Sequence, residues 1–146
     1  MFQLRSSRPE DAPSLANVWR RSVRATHSFL TETDFREIEN IVANLYLPNA
    51  DLTVATDAQG RPVGFMGLTG RHIDSLFLDP DCRGKGLGRL FIDHAALAAG
   101  TPLSVDVNEQ NGQAVGFYRH MGFVETGRSP TDDDGRPYPL LHMVRD

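Results

Sequence analysis

The stretch LDPDCRGKGLGRLFIDHA, Leu78 to Ala95, passes from an apolar run through Gly84, Gly86 and Gly88 into a helical pattern. A strand that turns directly into a helix leaves the first helical N–H groups unpaired, at the positive end of the helix dipole. Glycines let an anionic group lie against that backbone, and Arg83 and Lys85 add mobile positive charge. The loop reads as a seat for a phosphate or pyrophosphate, or as a tight turn that holds nothing.

Known phosphate loops narrow the choice. A P-loop needs G-x-x-x-x-G-K-[ST], and the hydroxyl that would hold magnesium is missing here. A dinucleotide fingerprint needs G-x-G-x-x-G. Its third glycine would fall on Arg89 counting from Gly84, or on Phe91 counting from Gly86. Asp106 follows at a distance that suits a ribose contact, which keeps that alternative only partly alive. A third pattern, R/Q-x-x-G-x-G/A, is matched in full by Arg83, Gly86 and Gly88.

Outward from the loop, the chain alternates two periodicities. Phe2–Arg5 reads as a strand, and Ser7 with Glu10 suggests a capping box opening a helix that ends near Thr26. Phe35, Ile38, Ile41, Val42 and Leu45 mark a second helix. Leu52–Thr56 and Pro62–Leu68 flank the turn signal DAQGR as a hairpin, and Ile73–Leu78 is a third strand. Leu87–Ala98 is helical, Leu103–Val107 a strand and Asn111–Met121 a helix closed by Gly122. Phe123–Thr126 and Leu140–Val144 close the chain as strands.

The 146 residues suit one domain. A net charge of −4 disfavours a nucleic-acid surface; it suits cationic substrates or plain solubility. The single cysteine, Cys82, excludes an internal disulfide. No apolar run is long enough to span a bilayer and no signal-peptide pattern opens the chain, so a cytoplasmic protein without membrane partners is expected. Nothing in the spacing of His, Cys, Asp and Glu suggests a metal site.

A second motif accompanies the loop. Asn111, Ala114, Phe117, Tyr118, Gly122 and Phe123 fit N-x-x-A-x-x-F-Y-x-x-x-G-F, one strand beyond the first. With both motifs, the chain resembles the GNAT superfamily of N-acetyltransferases over its whole length, and most resembles its small bacterial members. The resemblance implies a single GNAT domain over residues 1–146. Its fold would be mixed α/β: a mostly antiparallel sheet of about six or seven strands, splayed between the fourth and fifth, with about four helices. It implies acetyl-coenzyme A as cosubstrate and no metal. The pantetheine arm would pair with the backbone of Leu76, Phe77 and Leu78. The pyrophosphate would lie on Arg83, Gly84, Lys85, Gly86, Leu87, Gly88 and Arg89, with Asn111 and Tyr118 also at the cofactor.

By the same resemblance, Tyr118 is the general acid for the departing thiolate. The general base stays open. Many members carry a glutamate where this chain has His72, with Asp74 two residues on and on the same strand face; a water chain is the alternative. His27 and Phe29, between the first two helices, and Tyr138 border the expected acceptor side. Asp132, Asp133 and Asp134 either attract a cationic amine or form a solvated turn. The acceptor would be a primary amine of a small molecule, a protein lysine or an N-terminus, and the assembly a monomer or homodimer. A non-catalytic acyl-coenzyme A binding domain is the other reading, and Tyr118 separates the two.

Overall fold

The computed structural model describes residues 1–146 and contains one seven-stranded sheet, in the order β1-β2-β3-β4-β5-β7-β6. The chain clusters into two compact units, Met1–Gly67 with Ser75–Gly88, and Leu68–Asp74 with Arg89–Asp146.

In the first unit, β1 (Gln3–Ser6) runs antiparallel to β2 (Leu52–Thr56), which pairs with β3 (Pro62–Thr69) as the expected hairpin. Asp57 Oδ1 accepts from the N–H groups of Gln59 and Arg61 and so closes the turn. Helix α1 (Ala12–Thr26) presents Leu15, Val18, Trp19 and Val23, at helical spacing, to Leu52, Val54 and Phe65. Trp19 and Phe65 both meet Phe77 of β4 (His72–Leu78), with ring centroids 6.4 and 5.5 Å apart.

The helix start differs from the sequence expectation by one residue. A short 3-10 turn (Pro9–Asp11) precedes α1, and Asp11, not Glu10, accepts the N–H that lies three residues before it, from Arg8. Ser7 is drawn elsewhere: its hydroxyl accepts the N–H of Leu52, at 3.0 Å. Asp11 is buried and takes a two-pronged hydrogen bond from Arg5, at 2.8 and 2.9 Å, which holds its carboxyl below the usual range.

The second helix is also less regular than its apolar spacing suggests. Helix α2 (Glu32–Ile41) is capped by Thr31, whose hydroxyl accepts from Asp34 N–H. It then widens into a π-helical segment (Val42–Tyr46) and ends in a turn at Leu47–Asn49. Tyr46 at the end of the widened segment places its hydroxyl 2.7 Å from Ser75 Oγ.

In the second unit, the first residues of β4 pair in parallel with β5 (Leu103–Asn108), at His72↔Ser104 and Ile73↔Val105. Helix α3 (Leu87–Ala99) is the crossover that parallel pairing requires, and Phe91, Ile92 and Ala95 bury completely. Helix α4 (Gly112–His120) is capped by Asn111 and followed by Gly122 at φ +95°. Strand β7 (Leu140–Arg145) pairs antiparallel with both β5 and β6 (Val124–Ser129). Leu103, Val105, Val107, Leu141 and Met143 alternate into the core, which turns Ser104, Asp106 and His142 to the opposite face.

Replacing Asp11 strands Arg5 in a half-buried site and removes the acceptor of Arg8 N–H. Asp11→Ala should lower unfolding free energy by about 3 kcal/mol, read by urea denaturation. A change under about 0.5 kcal/mol would show that the pair does not stabilise the fold.

Candidate active site

The β4–β5 ladder stops early. Past Ile73↔Val105 the two strands share no further residue pair, although β4 continues to Leu78 and β5 to Asn108. This is the expected splay between the fourth and fifth strands. Leu76, Phe77 and Leu78, apolar as they are, stay only half-buried.

The chain then enters the glycine loop within the first unit. Asp79 Oδ1 accepts Asp81 N–H and so starts the 3-10 turn Pro80–Cys82, while Asp79 Oδ2 takes the guanidinium of Arg21 from α1 at 2.5 Å. Arg21 also reaches Asp81, so α1 anchors the entrance of the loop. Gly84 and Gly86 adopt φ of +73° and +82°, a region that side-chain-bearing residues rarely enter. A Cβ on either would meet no atom within 4 Å, so conformation alone excludes other residues. Gly84, Lys85 and Gly86 are exposed, and the N–H groups opening α3 have no intrahelical partner. A diphosphate fits this donor set: bare amides at a helix start, with Arg83 and Lys85 beside them. Cys82 is buried, and burial with the Asp79 charge pushes its thiol up, which removes it as a nucleophile.

Two other groups of side chains stand out in the first unit. Ser75 Oγ, bonded to Tyr46, also accepts the N–H of Gly67 at 3.1 Å. A Cβ at Gly67 would lie 2.9 Å from Ser75 Oγ and closer still to the Tyr46 hydroxyl, so this contact depends on the glycine. His27 Nδ1 lies 2.7 Å from Thr26 Oγ1 and its ring packs on Phe29 at 5.1 Å. Burial first, and the nearby Arg83 second, push the His27 imidazole down to about 4, so it is neutral at physiological pH.

In the second unit, Tyr118 is buried between Phe117 and Phe123, with centroids 5.1 and 5.2 Å away in edge contacts. Burial alone pushes its phenol well above the ordinary tyrosine range, so it keeps its proton. Asn111 is buried and its side chain accepts Ala114 N–H, the capping role its position suggested. His72 is bonded through Nδ1 to Ser104 Oγ at 2.8 Å, and Nε2 lies 3.7 Å from Asp106. Asp74 is exposed and accepts from Thr69 Oγ1 instead, so the structure does not join it to His72. Tyr138 is buried. The aspartate run is a closed turn: Asp132 accepts the N–H groups of Asp134 and Arg136, and Arg136 reaches back to Asp134.

In the sequence Asp106 suits only the dinucleotide alternative, His142 reads only as a strand residue, and Tyr46, Ser75, Ser104 and Ser129 carry no motif. For Ser104, Asp106 and His142 the one signal is a polar residue at alternate positions of otherwise apolar strands, LSVDVN and LLHMVR.

Because unfolding returns His27 to its ordinary range, the unfolded chain binds the extra proton between about pH 6.5 and 4. Stability is intact above that window and falls as pH drops through it, by at most about 3 kcal/mol from this residue. His27→Gln should flatten urea-measured stability across the window; an unchanged slope would mean that His27 does not titrate this way.

Comparison with known proteins agrees with this geometry. Residues 23–143 match the family described as Acetyltransferase (GNAT) domain. The chain is 53% identical over 145 residues to the peptidyl-lysine N-acetyltransferase YjaB of Salmonella typhimurium, covering 99% of this chain and 98% of that protein. The solution structure of apo-form YjaB from Escherichia coli superposes with a TM-score of 0.93 at 49% identity, over 99% and 97% of the two chains. The PaiA N-acetyltransferase of Thermoplasma acidophilum, solved in complex with coenzyme A, shares the fold at a TM-score of 0.78 and 19% identity, over 100% and 99%. The splayed strands, the glycine loop and these likenesses lead to one conclusion: the chain belongs to the GNAT family of acetyltransferases.

Proposed function

We propose that the protein transfers acetyl from acetyl-coenzyme A to a primary amine, with the lysine side chain of a polypeptide as the preferred acceptor. The observation that carries the donor assignment is the two-pair ladder between β4 and β5. An edge of β4 that β5 does not partner suits an extended, amide-bearing pantetheine chain, which adds to Leu76, Phe77 and Leu78 much as a strand would. The glycine loop from Arg83 to Arg89 then takes the pyrophosphate, and Asn111 adds a cofactor contact beside its capping role. The acceptor assignment rests on the relatives named as peptidyl-lysine N-acetyltransferases at about half identity.

In this reading the amine attacks the thioester carbonyl directly. His72 takes the ammonium proton first, since only the neutral amine is nucleophilic. The nitrogen–carbon bond forms, the carbon–sulfur bond breaks, Tyr118 gives its proton to the leaving thiolate, and the second proton shed by the acylated nitrogen restores the Tyr118 phenol. A phenol that burial keeps protonated supports that assignment. Asp74, exposed and held by Thr69, is the weaker base candidate. His27, Phe29 and Tyr138 are assigned to the acceptor side.

The test is thiol release from acetyl-coenzyme A with a panel of amines: a peptide with one internal lysine, spermidine and a free amino acid. We expect the lysine peptide to turn over, and silence with every amine would refute the function. Tyr118→Phe should cut kcat about tenfold or more while acetyl-coenzyme A affinity holds; unchanged turnover would remove Tyr118 from the mechanism. Gly86→Ala, forced into a left-handed backbone, should weaken acetyl-coenzyme A binding about tenfold by calorimetry. Binding at the parent affinity would show that the loop does not hold the diphosphate.

A further inference from the structure

We propose that Asp106 and His142 are positioning residues for His72, holding a carboxylate oxygen beside the imidazole nitrogen that receives the acceptor's proton. The inference rests on the reading of His72 as the base. Its foundation is a row of polar side chains across four neighbouring strands of the second unit, on the face turned away from the apolar core. His72 of β4 stands in register with Ser104 of β5, and Asp106 of β5 with His142 of β7. Beyond them, Ser129 of β6 ends the row.

The distances give the row a direction. His142 Nδ1 lies 2.6 Å from Asp106 Oδ1, and its Nε2 lies 2.7 Å from Ser129 Oγ. A neutral imidazole satisfies both contacts in one way: Nδ1–H donates to the carboxylate and Nε2 accepts from the serine hydroxyl, which fixes the tautomer. Gly127, next to a break in the β6–β7 register, leaves room for the ring, since a Cβ there would come 3.4 Å from His142 Cδ2. Asp106 therefore commits Oδ1 to His142. Its Oδ2 faces His72 Nε2 at 3.7 Å, outside hydrogen-bond range but within reach of a charge.

His72 completes the arrangement. If Nδ1–H donates to Ser104 Oγ, the Nε2 lone pair is open on the side of Asp106. An acceptor ammonium that loses its proton there leaves a free amine lone pair and an imidazolium. One N–H of that cation then donates to Ser104 Oγ, and the other faces the Asp106 carboxylate at 3.7 Å, close enough for its charge to act. The carboxylate thus stabilises the species that proton transfer creates and not the resting one, which is how a positioned charge assists a base. About a third of the Asp106, His72 and His142 side-chain surface is open, so a slim amine can reach the site. The same three side chains do not form a metal-binding group.

The experiment compares Asp106→Asn, Asp106→Glu, His142→Gln and His72→Gln in the full chain, with acetyl-coenzyme A and the single-lysine peptide. Nitrogen-15 NMR of the imidazoles accompanies the kinetics. We expect Asp106→Asn to lower kcat about tenfold with the KM for acetyl-coenzyme A within about twofold, His142→Gln to act less in the same direction, and Asp106→Glu to recover part of the loss. Wild-type His142 should carry its proton on Nδ1 and should lose that preference in Asp106→Asn. The tautomer is read whether or not the enzyme turns over, and His142→Gln decides if Asp106→Asn fails to fold. Wild-type kcat in both the Asp106→Asn and His142→Gln variants, or a His142 protonated on Nε2, would overturn the inference. If His72→Gln keeps full activity, the base assignment itself fails; if it is slow while the others are not, only the positioning role does.

Discussion

Everything at the functional end of this chain depends on where one parallel ladder stops. A strand interior to a sheet normally satisfies its main-chain N–H and C=O groups on both edges, because an unmet backbone group is costly away from water. Strand β4 does so with β5 for only two residue pairs and then continues to Leu78 without it. The side chain of Phe77 holds the strand against its own unit, where it packs on Trp19 and Phe65. Past Ile73 the strand is anchored through Phe77 and lacks a β5 partner along one edge, the feature on which the proposed donor site rests.

The glycine loop that follows is set by a different economy. Gly84 and Gly86 take left-handed backbone angles, and no neighbouring atom would crowd a Cβ at either. Rigidity comes from outside the loop: Arg21 of α1 bridges Asp79 and Asp81 at its entrance, and Asp79 also caps the short turn. Arg21 lies partly exposed, so the bridges contribute modestly to stability, and their effect is to fix where the loop begins.

How far the residues announced this arrangement depends on the range of the interaction. Asn111 as a cap, Gly122 as a helix stop and the hairpin at Asp57–Arg61 act within a few residues, and each was legible. The helix opening was misplaced by one residue because the Ser7 hydroxyl is taken by Leu52, 45 residues away. The π-helical segment before Tyr46 has no local signature, and its hydroxyl meets Ser75 across 29 residues. His142 looked like an ordinary strand residue because its partner, Asp106, is 36 positions earlier.

The residue order alone determined the family, the succession of elements and the glycine loop. Glycine conformations, cap hydrogen bonds and apolar periodicity are properties of short segments, and they carry over into any context that folds them. Only the tertiary structure decided that β4 and β5 part after Ile73 and Val105, that His27 is desolvated beside Arg83, and that Asp106 stands between two imidazoles. Strand order and register set these features: a side chain's neighbours across a sheet are fixed by which strands pair, and no local pattern encodes that pairing.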